Sequence, residues 1–418
     1  MKLFQSLKVI VKNNASTKHE DYTFSIEEQT VHLELIEDES GHVLDKEEPI
    51  QDLTQLGKDQ REEEGLSPSF VCMTSTYNEN SGVQASAAAS IMCPMLLKAV
   101  KNITTDSLSK NDDNKNKGKL LPLTIAEYGC ATGGSSLAPL NTISSQLDKQ
   151  REMNVIMNDL PLNDWDVLSE TLRPIKHRFR NLVLKKMSMY DSGVAKDNTL
   201  HIGYSCFAQH WLSVGFPTDF PLGSSAIWPQ QLTCDKTKNV WAKAAMNDWN
   251  QFLDRRFDEL ISGGYVVIII QASLDDGTLS ENNADTLMKV KELMMVERTL
   301  SPQEAAKMTM PEYLKTQEEI LAPFKRELNI SRWDVEEVLL TELDCPNFKK
   351  LSSTTTSVSE VVKKQIGLCR SFMDSSLTLA IGEDKVGKFW DRVETFVDDD
   401  PSALESNISA VSLMLKKK

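Results

Sequence analysis

The sequence predicts an α/β fold, a mostly parallel sheet with helices over both faces. Strand and helix patterns alternate between residues 120 and 271, the rhythm of β-α-β units. The run YVVIII (265–270) is apolar without alternation, as a strand covered on both faces must be. A long amphipathic pattern, WAKAAMNDWNQFLDRRFDELI (241–261), leads directly into that run.

Residues 1–66 differ in character from the rest. LKVIVK and TVHLELIE alternate like short strands and precede the acidic stretch DKEEPIQDLTQLGKDQREEEG, which predicts a small β-containing N-terminal extension and a linker. Residues 67–418 form the main domain. VQASAAASIMCPMLLKAVK (83–101) has helical periodicity interrupted by one proline, and SLSKNDDNKNKGK (107–119) is a polar low-complexity loop. Then come a strand at LLPLTIAEYG (120–129), a helix from Ser136 to about Gln150 and a strand at NVIMND. A helix near 164–174, a strand at TLHIGYS (199–205), the amphipathic helix and the strand YVVIIIQ (265–271) follow. Two segments, about 213–243 and 284–345, break the rhythm; the second reads as helical, and both suit insertions forming a helical cap over a pocket. SSTTTSVS (352–359) reads as a linker and NISAVSLMLKKK as a last strand.

Composition narrows the partners. With 61 acidic and 46 basic residues the net charge is −15, which repels nucleic acid and anionic membranes and favours a small ligand or a protein. The seven cysteines are scattered with no CxxC pair, as expected of reduced thiols in a cytoplasmic protein, and they supply no metal site. The apolar start is broken by Gln5 and Lys8, unlike a secretory signal, and no apolar run approaches the length of a membrane span.

Two strand-end turns carry the chemistry. In IAEYGCATGGSS (125–136), Glu127 stands two positions before Gly129, where a strand gives way to a helix. A dinucleotide fingerprint needs glycine at position 131, which is Ala131, and no Gly-Lys-Ser/Thr run is present, so phosphate binding is disfavoured. A carboxylate there suits a cationic or amine-bearing ligand; a plain structural turn fits the same letters. In NDLPLNDWD (158–166), Asp159 ends the next strand as Glu127 ends the first. Adjacent parallel strands bring such residues side by side at the carboxyl edge of the sheet, where Asp159 is placed to accept from both hydroxyls of a ribose. Capping of the following helix, or a solvated turn, remains the alternative. The charged stretch Asp248–Glu259 reads as a solvated helix face.

The sequence resembles the SABATH family of S-adenosylmethionine-dependent methyltransferases. Four blocks carry the resemblance in the family's order: YNENSGVQ (77–84), IAEYGCATGGSS, NDLPLNDWD and YSCFAQHWLS (204–213), with weaker echoes at MPEYLKTQEEI and at the terminal NISAVSLML. It covers about 70–418. It implies a Rossmann-like class I methyltransferase sheet with a helical cap, S-adenosylmethionine as cofactor with S-adenosylhomocysteine as product, and a homodimer. It further implies that Tyr77 and Ser81 meet the methionine end of the cofactor, that Glu127, Gly129 and Ser135 shape its turn, that Asp159 holds the ribose, and that Leu160, Ser188 and Met189 flank the adenine. Gln84 and Trp211 match a clamp for the substrate carboxylate, with His210 and Phe207 in the same pocket; Gln84, Trp211 and His210 are the residues implied in catalysis. The chain departs from the family pattern at Glu127 (Asp in the family), Ser135 (Asn), Met189 (Phe) and Gln209 (Leu).

The implied reaction is O-methylation of a small organic carboxylic acid. Such an acid is already an anion at pH 7, so positioning and desolvation are needed but no general base. N-methylation of a small nitrogen heterocycle is the alternative within the class, and a non-catalytic regulator that binds S-adenosylmethionine is the alternative outside it.

Overall fold

The computed structural model describes residues 9–12, 73, 77–109, 122–147, 151–213, 226–279, 282–345, 347–348, 357–398 and 400–418. The expectations for TVHLELIE, for the acidic linker and for most of SKNDDNKNKGK lie outside the described residues.

Eight strands form one sheet in the order β1-β7-β8-β6-β5-β2-β3-β4. They are β1 (Val9–Lys12), β2 (Leu123–Tyr128), β3 (Met153–Asp159), β4 (Phe179–Lys186), β5 (Leu200–Cys206), β6 (Leu260–Gln271), β7 (Trp333–Leu343) and β8 (Ile408–Lys417). All neighbouring pairs are parallel except β6/β8 and β7/β8, so β8 alone runs against the rest. From β2 the chain winds outward through β3 and β4, then returns to β5 and β6 on the other side of β2. Loops leaving β2 and β5 therefore diverge at the carboxyl edge and open a crevice there. β6 is buried from Tyr265 to Ile270, as its uninterrupted apolar run requires.

Three strand features depart from the sequence reading. The segment 284–345 is helical only as far as Arg332; Trp333–Leu343 is β7, antiparallel to β8. Its buried positions are interspersed with exposed Asp334 and Glu342, which hides it from a search for apolar runs. β4 was not anticipated because this edge strand leaves Arg180, Asn181, Val183 and Lys186 exposed. VIVK, assigned to the extension, pairs in parallel with β7 and so belongs to the main sheet.

The helix Gly82–Thr105 is long and apolar enough to cross a membrane, contrary to the expectation that no run approaches that length. Half of its most apolar window is buried, and Met92, Leu96, Ala99 and Val100 share a core with Leu123 and Ile125 of β2. It is a core helix by packing. A π-helical turn at Ala88–Met92 precedes Pro94, where the missing N–H prevents a regular α-helical ladder.

A second core binds the cap. It joins Asn282–Val296 and Pro302–Lys307 to two helices that the sequence reading left unassigned, Val358–Ile381 and Glu383–Phe396. Met294, Met308 and Met310 are buried in this core rather than in a cavity wall. The helix Asp235–Glu259 also differs from expectation: Asp248, Arg256 and Glu259 are buried, not solvated. Arg256 donates to both carboxylate oxygens of Glu259 at 3.0 and 3.1 Å and stacks 3.8 Å over the Tyr128 ring. A buried ion pair survives desolvation when its remaining donors are satisfied, and a third Arg256 N–H reaches Met189 O at 2.9 Å.

Candidate active site

The acidic turn NDLPLNDWD assigns a separate task to nearly every polar residue. Asn158 donates through Nδ2 to Lys185 O and Met187 O, tying the end of β3 to the end of β4 and the residue that follows it. Asp159 accepts from Ala131 N at 2.6 Å and from Leu160 N at 2.8 Å. Asn163 donates to Ala131 O at 2.7 Å. Helix capping falls to Asp164, which accepts from Val167 N at 3.0 Å, so Asp159 is not the cap.

The turn after β2 is shaped from both sides. Gly129 has φ +73°, and a Cβ there would lie 2.3 Å from Ala208 Cβ, so only glycine fits. Asn78, on the short helix Tyr77–Asn80, accepts from Gly134 N and Thr132 Oγ1 and donates to Thr132 O and Thr171 Oγ1. The segment carrying Tyr77 is thereby fastened to the turn. Phe207, just past β5, has φ +57°, a strained conformation for a bulky residue that costs about 1–3 kcal/mol and recurs at functional sites.

Two cavities open at this edge. The first, of about 900 Å³, brings together Tyr77, Gly129, Ser135, Asp159, Leu160, Ser188 and Met189 with Phe207 and Trp211. The second, of about 680 Å³, is lined by Gln84, His210, Trp228, Asn283, Glu312 and Phe372 among others. Tyr77, Phe207 and Trp211 line both, so the two spaces meet at these side chains. Two of the expected residues line neither. Ser81 is buried at the head of the helix Gly82–Ala87. Glu127 is buried in the sheet, where it accepts from Tyr204 Oη at 2.8 Å; its contribution is to the support of the turn and not to the wall.

Burial dominates the electrostatics. It raises the Glu127 carboxyl to about 7, against the pull of the Ser136 and Tyr204 hydroxyls, and raises Asp159 to about 6 against its two backbone N–H donors. The Tyr77 phenol and the Cys206 thiol are pushed up too, so both stay protonated at neutral pH. His210 is pushed down to about 3 by burial and secondarily by Lys315, which keeps the imidazole neutral. A Glu312 carboxyl oxygen lies 3.5 Å from His210 Nε2.

The sequence reading missed Asn78, Asn158 and Glu312. Asn78 lies inside the YNENSGVQ block and Asn158 directly precedes Asp159, so both were within quoted motifs. Glu312 had no such signal beyond its place in MPEYLKTQEEI.

Residues 73–418 match the family profile described as SAM dependent carboxyl methyltransferase. The chain belongs to this family, the SABATH methyltransferases. It is a small-molecule methyltransferase that uses S-adenosylmethionine. A probable 7-methylxanthine methyltransferase of Theobroma cacao is 24% identical over 380 residues, spanning 83% of this chain and 98% of its own. A probable caffeine synthase of Camellia sinensis is 22% identical, with coverage of 82% and 95%. The solved structure of loganic acid methyltransferase with S-adenosylhomocysteine superposes with a TM-score of 0.64 at 20% identity, covering 84% of this chain and 99% of that one; this likeness shows the class I methyltransferase fold.

The first cavity of this methyltransferase fits the cofactor. An ionised carboxylate has about four acceptor positions; Asp159 commits one on each oxygen to a backbone N–H, leaving acceptor capacity for a pair of hydroxyls. Asn158, also in the wall, has a buried Oδ1 without a partner. Among the described residues no lysine or arginine lines this cavity, and that spares a sulfonium electrostatic repulsion.

Proposed function

We propose that this SABATH methyltransferase forms the methyl ester of a small organic carboxylic acid, with the acid in the second cavity and the cofactor in the first. The observation that carries the reading is the placement of Gln84 and Trp211 in one cavity wall, with Trp211 shared by the cavity that fits the cofactor. An amide and an indole N–H are neutral donors. They orient a carboxylate without the tight charge pairing that would damp its nucleophilicity, and without repelling a cationic sulfur.

When bound, S-adenosylmethionine supplies a methyl group on a sulfonium sulfur and departs as S-adenosylhomocysteine. Asp159 would hold the ribose, and Leu160, Ser188 and Met189 the adenine. Tyr77 would lie at the methionine end, where its neutral phenol adds no charge. Ser135 and the turn at Gly129 would complete the wall. Tyr190 Oη donates to Trp211 O at 2.7 Å, and Trp211 rests against His210 and Phe372 with ring centroids 5.2 and 6.5 Å away; these contacts fix the indole. Holding the reactants in register in a dry cavity supplies up to roughly 7–11 kcal/mol in favourable cases.

N-methylation is favoured by a different observation, the Glu312 carboxylate in the second cavity, which is suited to accept from a ring N–H. The Theobroma and Camellia relatives carry names of that chemistry. Transfer of labelled methyl into a panel of small acids and heterocycles, followed by mild base, separates the readings. Volatile, base-released label supports the ester; base-stable label overturns it in favour of nitrogen.

A further inference from the structure

We propose that Lys315 is a positioning residue for methyl transfer: from outside both cavities it fixes the peptide groups that carry His210 and Trp211, with Asp248 holding the far end of the same segment. This rests on the assignment of Trp211 to the methyl acceptor.

Residues 209–213 lie outside the strands and helices, so their peptide groups must find partners elsewhere. Those partners come from three directions. Out of the segment 311–315, Lys315 Nζ donates to Gln209 O at 2.8 Å, Tyr313 N donates to His210 O at 2.8 Å, and Pro311 O accepts from Leu212 N at 2.9 Å. Beside the first cavity, Tyr190 Oη donates to Trp211 O at 2.7 Å. From the helix Asp235–Glu259, Asp248 accepts from Ser213 N at 2.8 Å and from Ser213 Oγ at 2.5 Å. The carbonyls of 209 and 210 belong to the two peptide planes that flank the His210 Cα. Holding both sets the direction in which His210 leaves the chain, and the carbonyls of 210 and 211 do the same for Trp211.

Lys315 is itself firmly seated. Its O accepts from Ser273 N, just past β6, at 3.1 Å, and the adjacent Thr316 forms a capping box with Glu319. The lysine side chain is fully buried and lines neither cavity. Burial lowers its ammonium to about 8, against the pull of Asp248 and Glu319, so it is charged at pH 7. Of those two acids, Asp248 is bonded to Ser213, and Glu319 to Tyr313 Oη and Thr316 N. A buried ammonium carries a desolvation cost that a methionine of similar length would not. Packing alone therefore does not account for a lysine here; the bond to the carbonyl that precedes His210 does.

Lys315→Met keeps the length of the side chain and deletes the donor. The protein is labelled with 5-fluorotryptophan and loaded with S-adenosylhomocysteine, and the Trp211 resonance among those of the seven tryptophans is assigned from Trp211→Phe. In K315M that resonance is expected to shift or broaden while those of Trp333 and Trp390 stay in place. With the member of the acid and heterocycle panel that takes up most label, kcat/KM is expected to fall about 10- to 100-fold, as for a misplaced reacting group. The Kd for S-adenosylhomocysteine should change less than about threefold. D248N, which keeps an acceptor for Ser213 N and removes the charge facing Lys315, is expected to give a smaller loss of the same kind and stands in should K315M not fold. A Trp211 resonance that does not move, or that moves with kcat/KM unchanged, overturns the role of Lys315 while leaving ester formation standing. Base-stable label with the loss in K315M intact does the reverse: it overturns ester formation and upholds Lys315.

Discussion

Asp159 Oδ2 accepts a hydrogen bond from Ala131 N at 2.6 Å, so the acid that ends β3 also holds the turn that ends β2. One carboxylate thus shapes the crevice and faces it. Burial raises its pKa to about 6, and hydroxyl donors from a bound ribose favour the ionised form. Cofactor affinity is therefore expected to fall as the pH drops through about 6, by roughly tenfold between pH 7 and 5, and to level off above neutrality. Asp159→Asn should weaken cofactor binding and flatten this pH profile. Calorimetric titration with S-adenosylhomocysteine across pH checks both; a slope that survives in the variant would assign the titration to another group.

Glu127 offers a prediction of opposite kind, about stability. Its pKa is raised from 4.5 to about 7, mainly by burial. A carboxyl raised on folding binds its proton more tightly in the native state, so its contribution is present at low pH and is lost as the pH rises through about 7. Glu127→Gln removes the charge while keeping an acceptor for Tyr204. Relative to wild type it is expected to gain stability between pH 4 and pH 8, by at most about 3 kcal/mol. Urea unfolding without cofactor at the two pH values measures the gain, and an equal difference at both would refute the charge argument.

Asn78 joins the segment bearing Tyr77 to the glycine turn through four hydrogen bonds, to Thr132 O, Thr132 Oγ1, Gly134 N and Thr171 Oγ1. Asn78→Ala removes them all and should raise KM for S-adenosylmethionine about tenfold or more, with a loss of about 1–3 kcal/mol in stability. Asn78→Asp keeps the two accepted bonds and should fall between. Steady-state kinetics beside thermal unfolding separate the effects: a stability loss with unchanged KM would make Asn78 structural only.

What was legible in the sequence follows from how locally each feature is encoded. The central strands announce themselves because burial on both faces demands unbroken apolar runs, as in Val266–Ile270. β4 and β7 carry polar residues such as Arg180 and Glu342 on exposed faces, so neither has that signature. Tyr77, Gln84, Asp159 and Trp211 stand in dense motif blocks, and the structure brings them to one edge. Ser81 and Glu127 stand in the same blocks yet line neither cavity, since adjacency in a motif does not fix which way a side chain turns. Glu312 was invisible because its burial arises only when 311–313 pairs with 210–212, a long-range contact that no local pattern encodes.

The shared position of Trp211 separates binding from chemistry. It lines both cavities, but among the described contacts its indole is supported by His210 and Phe372, whereas Asp159 and Gly129 line the first cavity and not the second. Trp211→Phe keeps an aromatic surface and deletes the N–H donor. It is expected to lower kcat/KM for the acid by about 10- to 100-fold, as for loss of one charge-assisted hydrogen bond, while the Kd for S-adenosylhomocysteine changes less than about threefold. Gln84→Leu, which deletes the amide facing the second cavity, should match it. If both deletions act through the same substrate carboxylate, the double variant should lose less than the product of the two single effects. Full multiplicativity would mean that Gln84 and Trp211 hold different groups of the substrate. Loss of cofactor binding in Trp211→Phe would instead place the indole in the cofactor site.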